Sequence, residues 1–487
     1  MTDTVIRNAT IIDGTGAPRF DGDVLIEDGH ISEIGDVSPA PTTTDIDAEG
    51  LVLAPGFVDV HTHDDGALIN HPDMTFKISQ GCTSVVVGNC GFSAIPAVTG
   101  DNTLDLSEIE ASWNDLNGYR SAVEASNPAV NAMMLVGHNT IRALEMKGER
   151  RRPNDGELAR MQGHIELAMQ QGACGFSTGL VYRPGRWSDT DEVIELAKAV
   201  APYGGIYATH MRSESDHLLD SVDEALHIGA EAGVGVQISH HKAAGPRNWG
   251  KVVDSLAKID DAVERGARVT LDVYPYTAGS GPMIQYFDLN NPDPELAQAI
   301  QLASCPAFRH YEGRMLIDIA NELGITASEA VQHILTAPDG KGTICIQHIM
   351  DEGDILTNLR HDRVMIGSDG IPDLTGRPHP RLFGTFPRVL GRYVREQGVI
   401  DLESAVRRMT SLSCDVHGLQ DRGRVAVGNW ADLVLFDPST VLDIATYEDP
   451  KRESVGIDRV WVNGQLAFDT GRHTQVGAGR VLHYQQH

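Results

Sequence analysis

Residue types that bind transition metals recur along this chain directly after short apolar runs. They are His61, His63, Cys90, His210, His240 and Asp369. Imidazole and thiolate ligands combined with a carboxylate favour Zn(II) over Mg or Ca, which prefer oxygen ligands. These residues therefore predict a zinc centre.

The first two histidines have a spacing that suits a shared ion. His61 and His63 alternate with Thr62 at the end of an apolar run, and residues i and i+2 of an extended strand point to the same side. Each histidine alone is more often a hydrogen-bonded core or loop residue. The prediction therefore depends on all six residues lying on one face of the protein.

Eight short apolar runs could provide that face. Each is followed by a stretch with helical character, a pattern typical of parallel strands joined by crossover helices. The predicted strands cover residues 56–61, 83–88, 130–137, 173–177, 205–210, 234–240, 268–274 and 363–369. Eight strands are the number that a closed (β/α)8 barrel requires, and the carboxyl ends of its strands meet at the face where barrel enzymes build their active sites.

The remaining segments predict the domain organisation. Residues 1–54 and 416–487 contain short alternating strands, with an Asp28-Gly29 hairpin signal, so the two chain ends are expected to form one small β-sandwich. The barrel is expected over residues 55–415. A long gap between the seventh and eighth strands predicts an insertion of about 285–345 over the barrel mouth, where it could act as a lid or serve structure alone.

Composition excludes several classes of function. The formal net charge is -29, from 68 acidic and 39 basic residues, and no basic stripe is present, so neither nucleic acid nor a membrane is an expected partner. No segment approaches the ~20 apolar residues of a membrane span, and six cysteines show no CxxC pairing. We expect a cytoplasmic protein that binds a small molecule, with its oligomeric state left open.

One predicted ligand, Cys90, and two neighbours of His240 need separate interpretation. Cys90 lies among glycines, where a cysteine is usually inert packing, but a thiol near two divalent metal sites would be deprotonated, and the resulting thiolate could bridge the two metals. His241 should turn away from the side that His240 faces, so we exclude it. Lys242 returns to the His240 side, where it could hold a carboxylate or remain solvated.

Several linked motifs resemble the amidohydrolase superfamily. They are Pro55-Gly-Phe-Val-Asp-Val-His-Thr-His, the histidines that end the fifth and sixth strands, Ser368-Asp-Gly, and Gly428-Asn-Trp-Ala-Asp-Leu-Val-Leu-Phe-Asp. Longer local matches are similar to the N-acyl-D-amino-acid deacylases (D-aminoacylases). These are Gly88-Asn-Cys-Gly-Phe-Ser, Phe176-Ser-Thr-Gly-Leu-Val-Tyr, Ser239-His-His-Lys, Asp272-Val-Tyr-Pro-Tyr-Thr-Ala-Gly-Ser and Pro378-His-Pro-Arg-Leu-Phe-Gly-Thr-Phe-Pro-Arg.

The resemblance implies a role for each site residue. It implies a tight zinc held by Cys90, His210 and His240, a weaker second site at His61 and His63, and Asp369 as the catalytic acid and base. Lys242, Tyr274 and Arg381 match the positions that hold the substrate carboxylate, with Tyr276 and Arg377 as neighbouring alternatives. The activity implied is zinc-dependent hydrolysis of the amide bond of N-acyl-D-amino acids.

Two other functions compete with this hypothesis. Related hydantoinases and dihydroorotases bridge two metals with a carboxylated lysine on the fourth strand, but residues 173–179 contain no lysine, which argues against the cyclic-amide branch. Hydrolysis of a cyclic amide or of another N-acyl or N-carbamoyl compound is thus the alternative reaction. A non-catalytic barrel scaffold is disfavoured because every ligand position is filled.

Overall fold

Eight parallel strands form one sheet in the computed structural model, which describes residues 3–38, 43–98 and 113–484. In chain order they are β1 (Phe57–Asp59), β2 (Cys82–Val87), β3 (Asn131–Gly137), β4 (Gly175–Gly179), β5 (Ile206–His210), β6 (Gly235–Ile238), β7 (Val269–Val273) and β8 (Val364–Ile366). Each strand pairs with the next along the chain. This order is the one that a (β/α)8 barrel requires.

The ring is closed by residues that follow β1 and β8. Thr62 forms a parallel bridge with Gly370. The Asp369 N–H donates to the His61 carbonyl at 2.7 Å, and the His63 N–H donates to the Gly370 carbonyl at 3.0 Å. The predicted barrel is confirmed, and its closing hydrogen bonds lie among the predicted site residues.

The barrel interior is filled by side chains rather than open. Val58, Val86, Met133, Ile206 and Met365, from five different strands, belong to one buried cluster. Such inward-facing apolar side chains make the barrel a packed core, so a site can form only at its ends.

Helices follow the barrel strands, and most of them cover the outside of the barrel. The main ones are Leu116–Ser126, His138–Met146, Asp155–Gln170, Thr190–Ala197, Leu218–Ala232, Val252–Glu264, Glu352–Arg360, Arg381–Arg388, Leu402–Met409 and Ser411–Val416, with a π-helix at Val389–Glu396 and short helices at Ala67–Asn70 and Thr75–Ile78. The sequence marks some of these ends clearly. The Asn154 side chain accepts from the Glu157 N–H, and Glu157 accepts in return from the Asn154 N–H, which is a capping box.

A separate unit lies between β7 and β8. It has three antiparallel strands, Gly279–Pro282, Ile300–Ser304 and Ile344–Gln347, and four helices, Met283–Tyr286, Pro294–Gln298, Leu316–Leu323 and Ala327–Thr336. Phe287, Leu302, Leu316 and Val331 contribute to a core of its own. Its first strand begins at Gly279 and its last strand ends at Gln347, so the unit extends slightly beyond the expected insertion of about 285–345 at both ends.

Both chain ends contribute to one nine-stranded sheet. Its strands are Thr4–Ile11, Phe20–Glu27, His30–Gly35, Thr44–Asp47, Val52–Pro55, Leu433–Phe436, Ile457–Val462, Gln465–Asp469 and Arg472–His473. His30 bridges to Trp430, and the Ala431 N–H donates to the Gly29 carbonyl at 2.9 Å. Because these contacts join distant parts of the sheet, the sheet curves around a common core that includes Ile26 and Trp461.

Within the described residues, no helix is both long enough and apolar enough to cross a membrane.

Candidate metal centre and active site

All six predicted ligand residues lie at the carboxyl end of the barrel strands. His61 and His63 follow β1, Cys90 follows β2, and His210 is the last residue of β5. His240 and Asp369 lie two and three residues beyond β6 and β8, because these strands end earlier than the sequence predicted. All six side chains are buried.

The Cys90 sulfur lies at the centre of three imidazoles. It is 3.3 Å from His61 Nε2, 3.5 Å from His240 Nε2 and 3.8 Å from His210 Nδ1. Burial alone would raise the pKa of the Cys90 thiol, but the charges on His61 and His240 bring that pKa well below its usual value. A thiolate is the form that binds a metal.

Asp369 joins the same cluster from β8. Its Oδ1 is 3.2 Å from His63 Nε2 and 3.5 Å from His61 Nε2, and its Oδ2 is 3.0 Å from Arg381 Nη1. Burial would raise the pKa of this carboxyl, yet Arg381 and His61 hold the pKa well below its usual range. Ligand atoms of His61, Cys90, His240 and Asp369 all lie within 4.8 Å of one another, close enough to surround one ion.

Glu214 is a site residue that sequence reasoning missed. Its Oε1 lies 2.8 Å from His240 Nδ1 and 2.6 Å from Lys242 Nζ, and its Oε2 lies 3.4 Å from His210 Nε2. It therefore contacts the outer nitrogens of two imidazoles whose inner nitrogens face Cys90. The charges on His210 and Lys242 lower the pKa of Glu214 against the effect of burial, so it is ionised.

Asp272 plays a similar part for His61. Its Oδ1 is 3.2 Å from His61 Nδ1 and accepts from the His240 N–H at 2.8 Å, while Gln237 donates to its Oδ2 at 2.7 Å. A carboxylate at the outer nitrogen fixes the imidazole tautomer and leaves Nε2 free to bind a metal. The signal was available in the sequence, since Asp272 is a charged residue inside an apolar strand.

A buried ammonium group supports the seam between β1 and β8. Lys77 Nζ donates to Asp59 Oδ2 at 2.7 Å and to Ser368 Oγ at 2.8 Å, and it lies 3.2 Å from Asp64 Oδ2. All of these side chains are fully buried. The Ser368 N–H also donates to Asp59 Oδ1 at 2.8 Å, so this group fixes the residues on either side of His61 and Asp369.

The predicted carboxylate-binding residues lie beside the cluster of candidate metal ligands. The Arg381 guanidinium stacks on the Tyr274 ring at 4.4 Å, and Lys242 Nζ is 5.8 Å from the same ring. The alternative residues lie elsewhere: Tyr276 hydrogen-bonds Asp443 at 3.4 Å, and Arg377 bonds the Glu448 carbonyl at 3.1 Å.

His241 points away from the cluster, as its position after His240 suggested. Its ring nitrogens contact Asn358 Oδ1 at 2.7 Å and Ser255 Oγ at 2.5 Å. Burial lowers the pKa of His241 to about 4. It is therefore a neutral, hydrogen-bonded core residue.

The backbone is strained at three of the site residues. Cys90, His240 and Asp369 have φ angles of 55°, 36° and 50°, in the left-handed region that residues other than glycine seldom adopt. Such conformations cost of order 1–3 kcal/mol each and collect at functional sites. Here they turn the three side chains from the strand ends into the common cluster.

The donor set fits zinc in chemical terms. Zinc takes thiolate, imidazole and carboxylate ligands, and a catalytic zinc keeps a position open for water or substrate. Cys90 with its three imidazoles supplies such ligands, and Asp369 adds a carboxylate that can exchange protons. This arrangement is able to perform metal-assisted hydrolysis.

Comparison with known proteins gives close matches over nearly the whole chain. A family model described as the amidohydrolase family matches residues 45–311 and 314–468. The chain is 42% identical over 484 residues to a D-aminoacylase of Alcaligenes xylosoxydans xylosoxydans, covering 99% of this chain and 97% of that one. An N-acyl-D-glutamate deacylase of the same organism is 42% identical over 472 residues, covering 96% and 93%.

A solved structure gives a comparable likeness. It is the crystal structure of N-acyl-D-glutamate deacylase from Bordetella bronchiseptica, complexed with zinc and a phosphonate inhibitor that mimics the tetrahedral intermediate. The TM-score is 0.92 at 40% sequence identity, and the match covers 99% of each chain.

Proposed function

Because this chain belongs to the amidohydrolase family, we propose that it is a zinc-dependent enzyme that hydrolyses the amide bond of N-acyl-D-amino acids. The products are a carboxylate and a free D-amino acid. The observation that carries the proposal is the Cys90 sulfur, 3.3–3.8 Å from three imidazole nitrogens, with the Asp369 carboxylate in the same cluster. The D configuration is supported by the relatives alone.

The ligands divide into two overlapping sets. Cys90, His210 and His240 would hold the tight zinc, and His61 and His63 would form a weaker second site that shares the Cys90 sulfur. When bound, zinc supplies a Lewis acid that polarises a carbonyl and lowers the pKa of water to ≈ 7.

Asp369 carries the proton in this mechanism. Its Oδ1 is 3.2 Å from His63, and its low pKa keeps it ionised and able to accept a proton from the attacking water. The same carboxyl then passes that proton to the nitrogen of the leaving amine. No covalent intermediate with the protein is needed.

Positively charged groups beside the cluster would hold the substrate carboxylate. Arg381 is fully buried; its Nη1 pairs with Asp369 Oδ2 at 3.0 Å, while its Nε makes no hydrogen bond with the described residues. Lys242 Nζ lies 5.8 Å from the centre of the Tyr274 ring, on which Arg381 also packs, and the Lys242 side chain is 12% exposed. Together they offset the overall negative charge and orient the anion.

The remaining alternatives make different demands on the site. A cyclic amide hydrolysed through a lysine-bridged metal pair is disfavoured because β4, Gly-Phe-Ser-Thr-Gly, contains no lysine. A non-catalytic scaffold would not need the strained, ionised cluster around Cys90.

The six cysteines are all buried and unpaired, which supports the cytoplasmic location that forms part of this proposal.

The decisive experiment combines metal analysis with an amine-release assay. Purified protein should contain zinc and should release amine from N-acetyl-D-methionine but not from N-acetyl-L-methionine or a hydantoin. Turnover of the hydantoin with none of N-acetyl-D-methionine would replace the proposed reaction by the cyclic-amide alternative. Zinc-loaded protein with no turnover of any of the three would favour the scaffold.

A further inference from the structure

A cavity of about 710 Å³ leads from the surface to the ligand cluster. His210, His240 and Asp369 lie at its inner end. Its outer wall comes from the unit between β7 and β8, through residues 293–299 and the segment 347–350, which begins at the last residue of the unit's last strand. A bound N-acyl amino acid would extend from the cluster towards this wall.

The cavity is rich in carboxylates and poor in free cations. Glu214, Asp293, Glu295 and Asp369 line it. The two basic side chains that line it already have partners: Lys242 Nζ lies 2.6 Å from Glu214, and Arg247 Nε lies 2.8 Å from Asp216. The chain has no lysine or arginine outside the described ranges, so no lysine or arginine from those segments can add a positive charge to the cavity.

His348 does not change this balance of charge. It lines the cavity, but burial lowers its pKa, so the ring is neutral near pH 7. Its Nε2 contacts Gln301 Oε1 at 3.1 Å.

The outer wall offers apolar and amide groups instead of charge. Leu296, Ile349 and Met350 provide the apolar surface, and Gln298 and Gln347 provide amides. Such a wall fits aliphatic, thioether or amide side chains, which bury apolar area or exchange neutral hydrogen bonds.

We infer that the preferred substrates are N-acyl-D-amino acids with uncharged side chains, and that acidic side chains are excluded; the inference rests on the proposed function. In that function Arg381 and Lys242 are occupied by the α-carboxylate. A second carboxylate on the side chain would enter the cavity without a cation of its own and would face Asp293 and Glu295. Asp293 and Glu295 are exposed at the cavity mouth and would repel this carboxylate. Deeper, beside the apolar part of the wall, the carboxylate would lose water without gaining a cation, which carries a large penalty.

The first test compares two substrates that differ in charge and little else. kcat/KM for N-acetyl-D-glutamine should exceed that for N-acetyl-D-glutamate by on the order of 100-fold, with N-acetyl-D-methionine also a good substrate. An equal or higher value for the glutamate would overturn the inference and leave the proposed hydrolysis intact. Failure to release amine from every N-acyl-D-amino acid would instead overturn the proposed function.

The second test reverses the charge of one side chain in the outer wall of the cavity. Glu295→Lys should narrow the glutamine-to-glutamate ratio by about 3–10-fold, because it replaces a repelling group with an attracting one. Glu231→Lys is the matched control, since it makes the same change of net charge at an exposed site on the helix Leu218–Ala232 and should leave the ratio unchanged. An unchanged ratio in Glu295→Lys, or an equal change in the control, would overturn the assignment of this wall to the side chain.

Discussion

Replacing Glu214 with Gln should weaken zinc binding by about 10–100-fold, the usual effect of losing a carboxylate that holds metal ligands in place. A metal-bound imidazole keeps its proton on the outer nitrogen, and the Lys242 ammonium has donors only. Glu214 is therefore the acceptor for His240, His210 and Lys242. Its contact with His240 is short, at 2.8 Å, and that with His210 is long, at 3.4 Å. Loss of the short contact alone corresponds to about 10-fold, or 1.4 kcal/mol, and loss of both approaches 100-fold.

Zinc affinity is measured by competition with a chelator, which does not depend on activity. The matched control is Glu224→Gln, because Glu224 is similarly buried and pairs with Arg212 at 2.9 Å without an imidazole contact. At saturating zinc, Glu214→Gln should show an unchanged or lower KM for anionic substrates, since Lys242 has lost its internal partner. Equal zinc affinity in the wild-type protein and the Glu214→Gln variant would refute the reasoning.

Three further changes test other parts of the site. Asp369→Asn should lower kcat by about 10²–10⁴-fold with zinc content intact by metal analysis; normal turnover would remove Asp369 from the mechanism. Lys242→Ala should raise KM by about 10–100-fold for substrates with a free carboxylate but not for the matching amide, and an equal rise for both would argue against its carboxylate contact. Lys77→Met should lower the free energy of unfolding by about 3–5 kcal/mol, because Asp59 is left buried without a cation. In denaturant unfolding, Lys258→Met, which removes an exposed pair with Asp223, should change little, and equal stability of the two variants would contradict the buried-pair argument.

Local sequence patterns were sufficient to predict the barrel. All eight strands were found, because parallel buried strands are continuous apolar runs. Their carboxyl ends were less accurate: β6 and β8 end before His240 and Asp369. The His240 N–H donates to the side-chain carboxylate of Asp272 instead of a backbone carbonyl of the neighbouring strand β7, and no local sequence pattern predicts this difference.

The unit between β7 and β8 was only partly predictable. Its helix Ala327–Thr336 begins with a capping box formed by Thr326 and Glu329, which is a local signal. Its strand Gly279–Pro282 pairs with Ile344–Gln347, more than sixty residues later. Neither a glycine-rich strand nor so distant a pairing is marked by periodicity.

The candidate ligands could be predicted, whereas the groups that hold them could not. His61, Cys90 and His240 have side chains that bind metals and recur at strand ends. Glu214 and Lys77 are common surface residue types, and here they are buried only because two imidazoles and two aspartates surround them. Their roles depend on partners brought together by the fold, so they become visible only in three dimensions.

The hydrogen bonds that close the barrel have a consequence for inactivation. The backbones of His61 and Asp369 form one of the bonds that join the first strand to the last, and their side chains meet in the same cluster. Any separation of β1 from β8 therefore moves Asp369, which carries the proton in the proposed mechanism, away from His61 while the rest of the core is still packed. Catalytic activity therefore requires a closed barrel. Heat or denaturant should abolish the activity before the helices outside the barrel unfold.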